Sequence, residues 1–192
     1  FCIDILKTRK DLISKLMWKS DRYTFNERKA INDFIFMCFT VGNDFLPHVP
    51  SIEIIEDGVE LMINIYRNVG EVGGHFTDID KKGRVTFDKD VLTLFFMTIG
   101  NFEKENFERK LGKQKSFFPD PIMMKHSHKD DRKWHLDIDK FTDDYNAVHF
   151  NSSNDASDEL MKEVSHQYIQ GLQWVISYYT TGCPSWKWYY PH

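Results

Sequence analysis

Val41-Gly42-Asn43-Asp44-Phe45-Leu46-Pro47-His48 closes an almost wholly apolar segment that begins at Ile31, and Pro50 follows shortly after. Ile31, Phe34, Ile35, Cys38 and Phe39 fall at helical spacing and make one apolar face. Phe36 and Met37 fill the other side, so the segment reads as a helix buried nearly all round. Gly42 suits the C-terminal cap of that helix. The chain therefore leaves a core on a turn, and the turn carries a carboxylate, Asp44. Two roles fit Asp44 on local sequence. It can bond its own backbone as an Asx-turn residue, which the eight residues alone favour. It can also be a ligand for a hard divalent cation, which prefers oxygen donors on a rigid support.

Upstream, Phe1, Ile3, Ile5 and Leu6 open the chain in extended form. Leu12, Ile13, Leu16 and Met17 then predict a helix over about 7–18. Thr24 and Glu27 form a T-x-x-E capping box ahead of the apolar helix. Downstream, Asp57 and Glu60 predict a second box, and Val59, Met62, Ile63 and Tyr66 a helix ending before Gly70. His75-Phe76-Thr77 and Arg84-Val85-Thr86-Phe87 read as a small hairpin or two extended arms. Asp88 caps a fourth helix lined by Val91, Leu94, Phe95, Ile99 and Phe102, with a charged, exposed continuation from Glu103 and a bend at Gly100. Residues 112–157 are polar, contain Pro119 and Pro121, and show no sustained period, so they read as one long irregular segment. A last helix spans about 158–180, with Leu160, Val164, Tyr168, Leu172, Val175 and Tyr179 inward. Fold class is therefore mainly α, a helical domain with little strand.

The 192 residues suffice for one domain or a large part of a bigger one, and a 41% hydrophobic content excludes a disordered chain. A formal net charge of −4 argues against a self-sufficient nucleic-acid binder, so any such contact must use local groups, a metal ion or basic surface elsewhere. Cys2, Cys38 and Cys183 are far apart and odd in number, which fits a reducing, intracellular compartment. No apolar run reaches membrane-spanning length, and both ends read as cut, which predicts a fragment.

Asp33 precedes Asp44 by eleven residues, about 16 Å along a helix, so the two do not share one ion. A buried structural carboxylate paired with a basic group is the better role for Asp33. His126, His128 and His135 lie in polar sequence without an ordered carboxylate pattern, and solvated histidines describe them better than a metal site. Trp186-Lys187-Trp188-Tyr189-Tyr190 is denser in aromatics than a surface turn requires. Such rings anchor a domain corner or stack on unpaired bases, the latter worth roughly 1–3 kcal/mol per base, and Lys187 is placed to meet a phosphate.

Two separated blocks carry a resemblance. Residues 34–54, from Phe34-Ile35-Phe36-Met37-Cys38-Phe39 through the Asp44 turn to Val49-Pro50-Ser51-Ile52-Glu53-Ile54, resemble the second block of the XRN-type 5′→3′ exoribonucleases. Tyr168-Ile169-Gln170-Gly171-Leu172-Gln173-Trp174-Val175, Tyr178-Tyr179 and Gly182-Cys183-Pro184-Ser185-Trp186-Lys187-Trp188-Tyr189-Tyr190-Pro191 are similar to that family's later block. The resemblance covers nearly the whole chain and is weakest over 112–157. It implies the central helical region of an enzyme that removes mononucleotides from the 5′ end of 5′-monophosphorylated, single-stranded RNA. It further implies Mg²⁺ or Mn²⁺ held by an acidic cluster in which Asp44 matches the last position. Trp186 or Trp188 corresponds to a base-clamping tryptophan, and Trp186 is preferred.

The departures set limits. The other acidic residues and the basic 5′-phosphate pocket belong to an N-terminal nuclease part outside residues 1–192, and Asn32 stands where the family often has Asp. The isolated chain is accordingly expected to be inactive, with the N-terminal part as its partner. The competing possibility is a non-catalytic helical RNA-binding or protein-interaction module derived from the same family.

Overall fold

The computed structural model describes residues 2–54, 57–113, 120–150 and 158–192. Among them are eight helices and two antiparallel hairpins, the mainly α architecture expected from the sequence. Helix α1 (Ile5–Leu16) starts at Asp4, whose carboxylate accepts from the Lys7 N–H at 3.0 Å. Its buried residues, Ile13 and Leu16, lie one turn apart. Helix α2 (Glu27–Thr40) is the central element and buries Ala30, Asp33, Phe36, Met37 and Thr40. Its cap is Asn26 rather than Thr24. The Asn26 Oδ1 accepts from the N–H groups of Arg28 and Lys29 at 3.0 Å each, which occupies the orphan donors that the expected box assigned to Thr24.

Helix α3 (Gly58–Gly73) runs past the stop expected at Gly70. A Cβ at Gly70 would lie 2.3 Å from the Trp18 Nε1, so the glycine there makes room for a buried indole and does not end the helix. The Asp57 capping box does not form either. Asp57 adopts a left-handed conformation (φ 63°) and its side chain makes no cap bond. Strands β1 (Thr77–Ile79) and β2 (Val85–Phe87) pair with Thr77 opposite Phe87, confirming the hairpin. Helix α4 (Lys89–Asn101) is capped by Asp88 as expected and buries Val91, Leu92, Phe95 and Ile99. Helix α8 (Asp158–Thr181) lies across α2 and β2 and buries Leu172, Val175 and Ile176. Phe36, Tyr66, Phe76 and Phe95 are fully buried where these elements meet, and Phe76 touches each of the other three rings.

Two expectations about the middle of the chain are corrected. The charged continuation after α4 is a separate helix, α5 (Glu103–Lys113), and it is not simply exposed, because Asn106, Phe107 and Leu111 are buried. Within the segment 112–157 expected to be irregular, residues 120–150 fold as helix α6 (Pro121–Lys125), hairpin β3 (Ser127–Asp130) with β4 (Lys133–Leu136), and helix α7 (Ile138–His149). With α5 they enclose a second small core of Phe107, Leu111, Met123, Leu136 and Phe141. The elements are too short for periodicity to register. Each of α6, β4 and α7 contributes a single buried apolar residue, Met123, Leu136 or Phe141. Residues 114–119 and 151–157 of that segment lie outside the described residues.

Asp33 behaves as a buried structural carboxylate. It is fully inaccessible and accepts from the Thr77 N–H at 2.8 Å, the Thr77 hydroxyl, the Tyr66 hydroxyl at 3.0 Å and the His75 Nδ1 at 2.6 Å. The His75 Nε2 accepts from the Asn26 N–H at 2.9 Å, so the ring proton sits on Nδ1 and points at Asp33. Burial first, and the Asp33 charge second, push the Tyr66 phenol far above its ordinary pKa. This network ties the start of α2 to α3 and β1, and so fixes the axis along which α2 delivers the chain to the Asp44 turn.

Candidate nucleic-acid and metal site

The turn after α2 is built by the residue before Asp44. Asn43 Oδ1 accepts from the N–H groups of Phe45 at 2.9 Å and Leu46 at 3.1 Å, and its Nδ2 donates to the Phe39 carbonyl at 3.1 Å. The Asx-turn role that local sequence offered to Asp44 thus belongs to Asn43. Gly42 takes a φ of 107°, which a side chain would strain, and lets the chain reverse off the helix. The Val49 N–H then donates back to the Thr40 carbonyl at 2.8 Å and closes the loop. Asp44 is left exposed at the tip, with no hydrogen bond or ion pair to any described residue.

The turn is clamped to α8. Phe45 meets Trp174 and Tyr178 edge-on, with ring centroids 4.9 and 5.0 Å away. Trp174 is stacked between Tyr178 and Trp188, both at 5.3 Å. The indole N–H of Trp174 donates to the Ser185 carbonyl at 3.1 Å. Leu46 and Trp188 close over Gly171, where a Cβ would lie 2.7 Å from Leu46 Cδ2 and 2.8 Å from Trp188 Cη2. The Tyr168 hydroxyl donates to the Pro47 carbonyl at 2.9 Å. Two blocks more than a hundred residues apart in sequence therefore form one surface.

On that surface the aromatic residues separate into two kinds. Trp188 is half-buried and stacked on Trp174, whereas Trp186 is 89% exposed. Lys187 is exposed beside it, and its backbone N–H is fixed by the Ser185 hydroxyl at 3.3 Å. Trp174 and Tyr178, which hold Phe45, fall outside the inner stripe that periodicity predicts for the last helix. Their i, i+4 spacing was the available signal. Conversely Tyr179, expected inward, is 54% exposed and lies against Phe39.

Among the described residues no group of three His, Cys, Asp or Glu side chains is placed to hold a metal ion. Asp44 suits a hard cation as one ligand, because its carboxylate is accessible and uncommitted, but it needs further carboxylates from elsewhere. His126 is not a solvated histidine. Its side chain is 11% exposed and meets Asp144 at 2.7 Å, because α6 and α7 pack together there. Lys125 and His126 hold the Asp144 carboxyl below the usual range. His135 meets Asp130 at 3.0 Å and lies stacked against His128 across the hairpin. No helix among the described residues is long and apolar enough to cross a membrane.

Comparison with known proteins accounts for the pairing of these two blocks. The sequence is 26% identical to the 5′-3′ exoribonuclease 2 of Gallus gallus over 262 aligned positions, covering 95% of this chain and 27% of that protein. It is 24% identical to the 5′-3′ exoribonuclease 2 homolog of Drosophila melanogaster, covering 88% of this chain and 24% of that protein. A shorter match of 87 residues, at 42% identity, joins it to the 5′-3′ exoribonuclease 2 of Emericella nidulans over 45% of this chain and 8% of that protein. The chain thus spans about a quarter of the length of the first two relatives. The family model described as the Xrn1 helical domain matches residues 24–137 and 124–192, which takes in both the Asp44 turn and the aromatic segment that clamps it. The chain belongs to the Xrn1 helical domain family.

Proposed function

We propose that this chain is the helical region, residues 1–192, of a 5′→3′ exoribonuclease that releases mononucleotides processively from 5′-monophosphorylated, single-stranded RNA. The observation that carries this is Asp44, an uncommitted carboxylate on a turn whose internal bonds are made by Asn43 and whose position is fixed by Phe45. The family membership and the names of the relatives support the same activity. Asp44 would be one ligand of Mg²⁺ or Mn²⁺, held jointly with carboxylates of an N-terminal nuclease part outside this chain. A cation bound there supplies the charge neutralisation and water activation that phosphodiester hydrolysis requires.

The chain's own residues would do three things. Asp44 orients the cation site through a turn that cannot easily move. Trp186 offers an open ring face for a base near the 5′ end, and Lys187 offers an ammonium group for a phosphate. Trp188 is better explained as part of the support, since one of its faces is taken by Trp174. The three unbridged cysteines support an intracellular location. The isolated chain, holding one ligand of the cluster, would not cleave RNA.

The test is Asp44→Ala in the full-length protein. Mononucleotide release should be lost while affinity for 5′-phosphorylated RNA in EDTA stays near normal. Turnover close to that of the unaltered protein would remove Asp44 from the site.

A further inference from the structure

A groove of about 1480 Å³ opens beside the Asp44 turn. Its near end is formed by Pro47, His48, Val49 and Pro50, three to six residues beyond Asp44. One wall is α4, with Lys89, Thr93 and Met97 at successive turns. The other is the first half of α8, with Lys162 and His166 one turn apart, followed by Gln170 and Gln173. Aromatic rings run along it in a chain of near-perpendicular neighbours. Tyr168 meets Tyr190 at 5.7 Å, Tyr190 meets His192 at 5.6 Å, and His192 meets Phe150 at 6.1 Å.

The charge of this groove sets it apart from the rest of the molecule. The chain has 29 acidic against 25 basic residues, yet no Asp or Glu is among the described residues that line the groove. Its ionisable side chains there are Lys89, Lys162, four histidines and three tyrosines. Lys89 and Lys162 are both exposed and neither has a carboxylate partner among the described residues. Asp88, next to Lys89, is turned away to cap α4, accepting from Asp90 at 3.1 Å and Val91 at 3.2 Å. Exposed cations on two walls with rings between them match a single-stranded polynucleotide, whose phosphates need positive charge and whose bases need stacking surface. A protein partner that matched this lining would have to be acidic, and it would leave the ring ladder without a purpose.

We infer that this groove is a track for the body of the RNA strand beyond the nucleotides at the Asp44 turn, an inference that rests on the RNA substrate proposed above. Lys89 and Lys162 contact phosphates, and the Tyr168–Tyr190–His192 edge lies against bases.

The test uses the full-length protein with Lys89→Glu and Lys162→Glu combined, both exposed positions, and 5′-phosphorylated oligouridylates of about 4 and 16 nucleotides in EDTA, lengths within the range of single-strand sites. Fluorescence anisotropy should show the longer strand bound roughly 20-fold more weakly at 0.1 M salt, with a slope against log salt shallower by about 1.4, as expected for two lost single-strand phosphate contacts. Binding of the short strand should not change. An unchanged slope and affinity for the longer strand, or an equal loss for the short one, would overturn the track. An independent readout needs no substitution. Photocrosslinking of the longer strand carrying 4-thiouridine in its 3′ half should place adducts in residues 89–97, 161–173 or 190–192, and adducts confined to other regions would also overturn it. Should the unaltered protein release no mononucleotides while these binding results hold, the exoribonuclease reading fails and the groove stands. Should it release them while the charge reversals bind the longer strand normally, the groove alone fails.

Discussion

Asn43→Ala is the sharpest perturbation of the turn, because it leaves Asp44 and every aromatic ring in place. Truncation removes three side-chain hydrogen bonds, two accepted from Phe45 and Leu46 and one donated to Phe39. A typical bond is worth about 0.5–1.5 kcal/mol net, and this turn is only part-buried, so water replaces some of the loss. The expected cost is therefore about 1.5–3 kcal/mol. For a domain of this size that corresponds to a melting temperature lower by roughly 3–10 °C. The same change frees the Asp44 carboxylate to wander, so turnover of the full-length protein should fall further than stability alone explains. Asn43→Asp provides the control. It retains the acceptor for the two N–H groups and loses only the donor to Phe39, so most of the stability should return. Thermal unfolding of the two variants, paired with single-turnover RNA cleavage at a temperature where both are folded, separates the two effects. Asn43→Ala with unchanged stability would refute the turn bonds. Reduced stability with normal turnover would refute the idea that the turn positions Asp44.

Two other substitutions test neighbouring parts of the account. Gly70→Ala places a Cβ against three atoms of the Trp18 ring within 2.5 Å, and should destabilise by about 1–2 kcal/mol even after the roughly 1 kcal/mol that alanine gains in a helix; a stabilised variant in urea unfolding would show that the indole yields freely. Trp186→Ala should leave unfolding unchanged, since the ring is 89% exposed, while weakening binding of 5′-phosphorylated RNA by about 1–3 kcal/mol in anisotropy. A destabilised Trp186→Ala with normal RNA affinity would assign that ring to packing instead.

Sequence periodicity revealed α2, α4 and α8 because each has a long apolar stripe, and it revealed the β1–β2 hairpin because Lys82-Gly83 separates two short extended runs. It failed where a residue answers to tertiary contact. Gly70 carries a helix-ending signature, yet its role is set by Trp18, fifty-two residues earlier. It also failed where elements are short, as in α6 and the β3–β4 hairpin, whose core forms only when α5 and α7 join them. At the site, Asp44 and the closing aromatic segment were legible as matching blocks. That Asn43 rather than Asp44 bonds the turn was not, and spacing alone does not separate the packed Trp188 from the exposed Trp186, although the resemblance prefers Trp186. Those differences depend on which group happens to find a partner across the α2–α8 contact, and neighbouring residues of like chemistry look equivalent until that contact is known. The groove was hidden for the same reason, since its cations come from helices α4 and α8 and its rings from α8 and the chain end.

The most direct measurement asks whether Asp44 touches the metal. Replacing it with Cys exchanges a hard oxygen donor for a soft sulfur, which disfavours Mg²⁺ and favours thiophilic cations. In the full-length protein, Asp44→Cys should be inactive with Mg²⁺ and regain mononucleotide release when Cd²⁺ is supplied, while Asp44→Ala should stay inactive with either. Equal rescue of both variants, or Mg²⁺-supported turnover by Asp44→Cys at the unaltered rate, would contradict metal ligation by Asp44.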